Sequence, residues 1–146
     1  IFIASDHAGF NLKSEIIKFL SARQLVIQDL GPKIIKQDDD FPEYAFILAK
    51  KVIKQKQALG ILICRSGIGM SIAANKVKGI RAGLCTSVGQ AITARAHINC
   101  NILVLSADFI PLEKTLEIVK TFFEGEYSEE KRYQKRLKKI DDFERR

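Results

Sequence analysis

The stretch Gly60-Ile61-Leu62-Ile63-Cys64-Arg65-Ser66-Gly67-Ile68-Gly69-Met70-Ser71-Ile72-Ala73-Ala74 runs from an unbroken apolar segment through two glycines into a segment of helical period. An apolar run of this length, rich in Ile and Leu and without alternation, suits a strand covered on both faces, which is the parallel-sheet case. The glycines then turn the chain into a helix, so the fifteen residues read as one strand-turn-helix unit. The same unit recurs on either side. Ile1 to Ala4, Leu25 to Asp29, Ile80 to Cys85 and Ile102 to Ser106 read as four further strands.

Between the strands lie segments with a 3.6-residue apolar stripe. One begins near Gly9 and carries Phe10, Leu12, Ile16, Ile17, Phe19 and Leu20; another follows Phe41-Pro42 and carries Tyr44, Phe46, Ile47, Leu48 and Val52. Residues 67–77, 88–96 and 111–124 supply three more, the last with Pro111 near its start, where a missing N–H costs nothing. Alternating strands and helices with right-handed crossovers predict an α/β fold, a Rossmann-like three-layer sandwich on a five-stranded parallel sheet. Residues 1–146 are expected to form a single domain, with 127–146 an extended C-terminal helix marked by Tyr133, Leu137, Ile140 and Phe143. That helix has little sheet left to cover, which predicts packing on a partner subunit in a dimer or larger symmetric assembly.

Composition limits the setting. The chain has 146 residues, is 47% apolar and carries a net charge of +7, enough for an ordinary core. No run approaches the roughly 20 apolar residues of a membrane span, and Ile1-Phe2-Ile3-Ala4-Ser5-Asp6 meets charge too early for a signal peptide. The expectation is a cytoplasmic protein without a membrane partner; because residue 1 is not Met, a short leading piece would only lengthen the first strand. Cys64, Cys85 and Cys100 are odd in number and lack the close pairing of a zinc site or a disulfide framework, so reduced thiols are expected. Residues 131–146 hold eight Lys or Arg against three Asp or Glu. Such a tail suits a solvated face, nucleic acid, anionic lipid or a phosphorylated small molecule.

In an open parallel sheet, ligands bind beyond the carboxyl ends of the strands. Ser5-Asp6-His7-Ala8-Gly9 and Cys64 to Ser71 occupy such positions; Arg95-Ala96-His97, after the fourth helix, is expected to share a rim with Cys64. The 64–71 turn exposes several backbone N–H groups to an anion. A Walker loop would need Gly-Lys-Ser/Thr after four spacer residues, and none follows Gly67 or Gly69; a dinucleotide fingerprint would need Gly at Ile72. A cysteine-dependent phosphatase would need Arg at Met70. What survives is a thiol at the mouth of an anion-binding turn, where a helix N-terminus and Arg65 welcome negative charge, able to act as nucleophile or base. Cys85 and Cys100 read as packed apolar groups. Asp6-His7 suits either a helix cap or a site. Arg132 and Arg136, four apart, project from one helix face and suit either a solvated surface or two donors closing on one phosphate.

Taken together, these residues resemble type B ribose-5-phosphate isomerase, in the group that also contains galactose-6-phosphate isomerase. The resemblance runs nearly end to end: Ser5 to Gly9 with Leu12-Lys13, Asp39 or Asp40 with Pro42 and Tyr44-Ala45, Gly60 to Lys76, Gly79 to Ala82, Ala94 to His97, Asn101 to Leu103, and Arg132 with Arg136. It implies metal-independent, cofactor-free interconversion of ribose 5-phosphate and ribulose 5-phosphate in the non-oxidative pentose phosphate pathway. By the same resemblance, Cys64 is the proton-transferring base, His97 the acid that helps open the ring, and Ser66 the hydroxyl at the reacting end. Asp6 and His7 become substrate contacts, residues 65 to 69 (Arg65, Ser66, Gly67, Ile68, Gly69) the anion hole, and Arg132 with Arg136 the phosphate clamp. The site would be shared between subunits of a homodimer or dimer of dimers.

Three residues depart from the family's pattern: Arg65 replaces a small residue, Ile98 an Asn after the His, and Asp108 an Arg that assists the phosphate. Arg65 is expected to restore from the other side of the pocket the positive charge lost at Asp108. A six-carbon substrate such as allose or galactose 6-phosphate is the alternative within the class, and a noncatalytic phosphosugar-binding subunit the alternative outside it. Nucleic acid ranks last, since no aromatic platform or binding motif accompanies the basic tail.

Overall fold

Strand and helix alternate as the periodicity predicts. The order is β1 (Phe2–Ser5), α1 (Phe10–Ser21), β2 (Gln28–Asp29), α2 (Phe41–Lys54), β3 (Gly60–Cys64), α3 (Ile68–Ala74), β4 (Ala82–Leu84), α4 (Val88–Ala96), β5 (Ile102–Ser106), α5 (Leu112–Glu124) and α6 (Lys131–Glu144). The computed structural model describes residues 1–145; Arg146, the last residue of the expected terminal helix, lies outside them. The five strands form one parallel sheet in the order β2-β1-β3-β5-β4.

Successive strand residues point to opposite faces, and the two faces have separate cores. Ile3, Ile61, Ile63, Leu103 and Leu105 pack against α1, α4 and α5; Phe2, Ala4, Leu62, Cys64, Ile102 and Val104 pack against α2 and α3. β1, β3 and β5 are buried at every position, which explains their near-continuous apolar sequence, interrupted only by the closing Ser5 and Ser106. The edge strands are shorter than the sequence predicts. Of Leu25 to Asp29 only Gln28 and Asp29 pair with β1, leaving Val26 86% exposed; of Ile80 to Cys85 only Ala82, Gly83 and Leu84 pair with β5.

The two ends of the sheet differ. At the end where strands finish, Lys13 from α1 is buried and reaches Asp29 at 2.9 Å and the Pro32 carbonyl at 2.6 Å, tying the exit of β2 to the body. At the end where strands start lies α6. Its Tyr133 and Leu137 are buried, while Ile140 and Phe143 are half and three-quarters exposed. Glu144 accepts the Gly79 N–H through both carboxylate oxygens, at 3.0 and 2.9 Å, and Asp141 lies 3.8 Å from Arg81. This helix closes the bottom of the sheet rather than either face.

Candidate active site

β3 ends in Cys64, which is buried against α2 and α3. Its Sγ accepts the Gly67 N–H at 3.2 Å. Gly67 stands at φ +81°, and a Cβ there would fall 2.5 Å from Leu84, so conformation and space both require glycine. At Gly69 a Cβ would fall 2.6 Å from the Phe41 ring, which closes over the turn from the start of α2. Ser66 accepts the Ile68 N–H at 3.2 Å and is half-buried. The chain after β5 clamps this turn: Ala107 donates to the Cys64 carbonyl and Asp108 to that of Arg65, at 3.0 and 3.1 Å, while the Ser106 hydroxyl donates to Arg65 O at 2.8 Å.

Beside it, β1 runs in register with β3, Ser5 opposite Ile63, and the Asp6 N–H donates to the Ile63 carbonyl. Asp6 and His7 therefore flank Cys64 on the neighbouring strand exit. Asp6 is buried and accepts the Gly9 N–H at 3.0 Å; burial pushes its carboxyl above the ordinary value against the pull of that bond. His7 Nδ1 lies 2.6 Å from Asp39 Oδ1, which also accepts the His7 backbone N–H at 3.2 Å. The sequence reading gave Asp39 no role. Its signal was the run Asp38-Asp39-Asp40 before Phe41-Pro42: one acid can cap α2, Asp40 occupies that position, and Asp39 is the one turned inward with only 5% of its side chain exposed. Tyr44 also faces it, and burial together with the negative charge of Asp39 raises the Tyr44 phenol.

His97 is not on this rim, contrary to the expectation that it would join Cys64 there. It caps the C-terminus of α4, just before β5 starts beside Gly60 and Ala82. The length of β3 alone, four steps of about 3.3 Å, separates the two ends by roughly 13 Å along the strands. At the strand-start end His97 stacks on Tyr133, ring centroids 4.2 Å apart. Arg132 immediately precedes Tyr133 on the same helix, its Nε 2.8 Å from Glu130 and its Nη2 2.7 Å from the Tyr133 hydroxyl. Arg136, one turn on, is exposed. The predicted residues thus form two groups at opposite ends of the sheet: Asp6, His7, Cys64, Arg65, Ser66, Gly67, Ile68 and Gly69 at one, His97, Arg132 and Arg136 at the other.

The departures at residues 65 and 108 answer each other. Arg65 Nη1 donates to Asp108 Oδ2 at 2.9 Å, so the charge expected to replace the missing cation is neutralised by the residue that displaced it. Ile98 packs against the α1–α4–α5 core. Burial pushes the Cys85 thiol up to about 12 and the Cys100 thiol up to about 11, so both stay protonated as packed groups, as the sequence reading has them.

One end of the molecule thus offers a sulfur beside backbone donors, a carboxyl, a carboxylate-held imidazole and a hydroxyl, a set suited to removing a proton next to a carbonyl and stabilising the resulting oxyanion. The other offers an imidazole and two guanidinium groups, suited to a phosphate. The profile of the Ribose/Galactose Isomerase family matches residues 1–140. A probable ribose-5-phosphate isomerase B of Mycoplasma pneumoniae is 44% identical over 145 residues, covering 99% of this chain and 95% of that protein. Among solved structures, ribose-5-phosphate isomerase B from Mycoplasma genitalium with bound ribulose-5-phosphate superposes with a TM-score of 0.94 at 43% identity, covering 99% of this chain and 95% of that one. The enzyme of the same name from Clostridium thermocellum gives 0.94 at 39% identity, with 99% and 96% covered.

Proposed function

The chain belongs to the ribose/galactose isomerase family, and we propose that it interconverts ribose 5-phosphate and ribulose 5-phosphate with Cys64 as the base that carries the proton between C1 and C2. Abstraction beside the carbonyl leaves an enediolate, whose charge meets the N–H groups of the Gly67 to Gly69 turn; the same sulfur then returns the proton to the neighbouring carbon. The observation that carries this reading is Cys64 Sγ, held by the Gly67 N–H at the strand exit. Ser66 and Asp6 hold the reacting end. His97 assists ring opening, and Arg132 and Arg136 clamp the phosphate.

Because those last three lie at the other end of the sheet, the reading requires a second subunit. In a two-fold dimer, or a dimer of dimers, the strand-start end of one protomer caps the strand-finish end of its partner, and symmetry makes two such sites. Residues 1–146 then act as one isomerase domain, with 127–146 the extension that carries the clamp. The setting is the cytoplasm, the pathway the non-oxidative pentose phosphate route. A six-carbon phosphorylated aldose is the second reading, because Arg65 and Asp108 depart from the family's pattern on the rim beside Cys64. The test is turnover of ribose 5-phosphate and allose 6-phosphate in chelator by the purified protein. Turnover of ribose 5-phosphate at the higher kcat/KM supports the proposal; turnover of allose 6-phosphate alone replaces the substrate, and turnover of neither ends it.

A further inference from the structure

The bottom of the sheet holds a second group of cations that the isomerase site leaves unused. Beneath the starts of β3, β4 and β5 a cavity of about 520 Å³ opens between the end of α2 and the turn before β4. Lys78, Arg81 and Arg95 line it, with Gln55, Gln57 and Asn101 beside them, and none of the residues assigned to proton transfer or to the phosphate clamp does. We propose that this cavity binds a phosphate monoester of sugar-phosphate or mononucleotide size, in competition with the carboxylates at the end of α6. The assignment does not depend on the isomerase reading.

Charge and size both point this way. The walls carry cations and no carboxylate. Arg81 and Arg95 converge on Asn99: Arg81 Nε donates to its carbonyl and Arg95 Nη1 to its side-chain oxygen, each at 3.0 Å. Burial holds the Arg95 guanidinium below its ordinary value, and the charge of Arg81 adds to that effect. Among the described residues neither Arg95 nor Lys78 has an ion-pair partner. An anion seated between these groups relieves their repulsion. The volume lies within the range of about 300 to 1,000 Å³ common for small-molecule sites, and the amides of Gln55 and Gln57 supply uncharged donors and acceptors for the body of a ligand.

A carboxylate already marks the anion position. Gly79 stands at φ +83°, and its N–H is taken by both oxygens of Glu144, at 3.0 and 2.9 Å, while Asp141 approaches Arg81 at 3.8 Å. Both acids lie in the last turn of α6, where the helix dipole disfavours negative charge, so their place there answers to the donors opposite. The contacts are exposed and therefore weak. A phosphate presents the same kind of oxygen with more charge and one oxygen more, enough to engage the Gly79 N–H, Lys78 and Arg81 together where Glu144 engages the N–H alone.

The test uses protein carrying Arg132→Ala and Arg136→Ala, so that the clamp no longer holds phosphate. AMP, glucose 6-phosphate and inorganic phosphate are titrated in turn, calorimetry giving the affinity and backbone amide NMR the place. At least one monoester is expected to bind with a Kd of about 1 mM or tighter, more tightly than inorganic phosphate, and to shift the Gly79 and Arg81 amides. The tighter of the two monoesters tells whether a nucleotide or a sugar phosphate fills the cavity. Adding Glu144→Ala withdraws the competing carboxylate and should tighten binding about three- to tenfold, a gain that no folding defect produces. Adding Lys78→Gln, on an exposed side chain, should weaken it about three- to tenfold. No binding of either monoester, shifts confined to the residues around Cys64, inorganic phosphate binding as tightly as both monoesters, or an affinity unchanged in either added variant overturns the assignment.

Discussion

The two ends of the sheet carry different kinds of structure. Where the strands finish, the functional groups are largely buried and held by backbone: Cys64 by Gly67, Asp6 by Gly9, and the turn between them by the chain after β5. Where the strands start, Arg132 and Arg136 stand exposed on α6, with Tyr133 and Leu137 as the helix's buried anchors. One end is a preorganised centre within a single chain. The other is a set of long cationic arms whose geometry is completed by whatever they meet. Chemistry that needs sub-ångström placement sits at the first, and charge recognition, which tolerates more freedom, at the second.

The largest expected effect removes the first end outright. Cys64→Ala should lower isomerisation by at least about 10³-fold while leaving the fold intact, since the substitution removes one sulfur from a packed strand end. A residual rate within tenfold of the unaltered protein, measured with ribose 5-phosphate, would mean that the base is elsewhere and that the preorganisation serves another purpose.

The next prediction asks whether the two ends meet only across subunits. Cys64→Ala and His97→Asn proteins, each nearly inactive alone, are unfolded, mixed in equal amounts and refolded. Random pairing puts half of the dimers in the mixed form, and each mixed dimer holds one site with intact Cys64 and intact His97. Activity should return to about a quarter of that of the unaltered protein. No recovery would mean that each site is built within one chain and that the separation of the two ends has been misread.

Single arginine changes come next. Arg136→Ala should raise KM for ribose 5-phosphate about 10- to 100-fold, the worth of one charged hydrogen bond of 1.5 to 3 kcal/mol, with a much smaller change in kcat. Stability should show the same contrast between the ends. Lys13→Ala breaks a buried pair, leaves Asp29 with only the Gly31 N–H and the exposed Lys33, and is expected to cost about 2 to 3 kcal/mol by denaturant titration. Asp141→Asn, at the half-exposed Arg81 contact, should cost less than about 1 kcal/mol. Burial alone would raise Asp29, but the Lys13 ammonium, the Gly31 N–H and nearby charge outweigh it and hold the carboxyl below its ordinary 3.8. A depressed folded value contributes stability above pH 3.8 that is lost as pH falls through it. Acid unfolding should therefore lose part of its steepness below about pH 4 in Asp29→Asn.

How much of this was legible follows the same division. β1, β3 and β5 declare themselves because both faces are covered and the residues are apolar up to the serines that close β1 and β5. β2 and β4 are edges, and nothing local tells Val26 that no partner strand lies beside it. The place of β5 between β3 and β4 is a tertiary fact with no local signal. The glycine turn and its cysteine were readable because Gly67 and Gly69 are required by a backbone angle and a neighbouring ring. His97 was misplaced for a reason the sequence does contain: nine residues of helix rise about 13.5 Å, enough to carry the chain from one end of the sheet to the other. Asp39 was hidden among three consecutive acids, which only the fold distinguishes.

The smallest effect concerns the one contact at the strand-finish end that breaks the pattern. Arg65 and Asp108 are 66% and 39% exposed and paired at 2.9 Å, so the bond itself is worth little, below about 1 kcal/mol. Its consequence for a dianion is larger than its strength, because Asp108 both adds a negative charge and occupies Arg65. Asp108→Ala removes the repulsion and releases the guanidinium at the same time. KM for ribose 5-phosphate should fall about three- to tenfold at low salt, and the gain should shrink as added salt screens the exposed charges. In Arg65→Ala, where Asp108 stays, KM should instead hold or rise. If Asp108→Ala leaves KM unchanged at every salt concentration, the phosphate never comes near this rim; its recognition then belongs wholly to the arginines of α6, and the division between the two ends is sharper than the Arg65–Asp108 pair suggests.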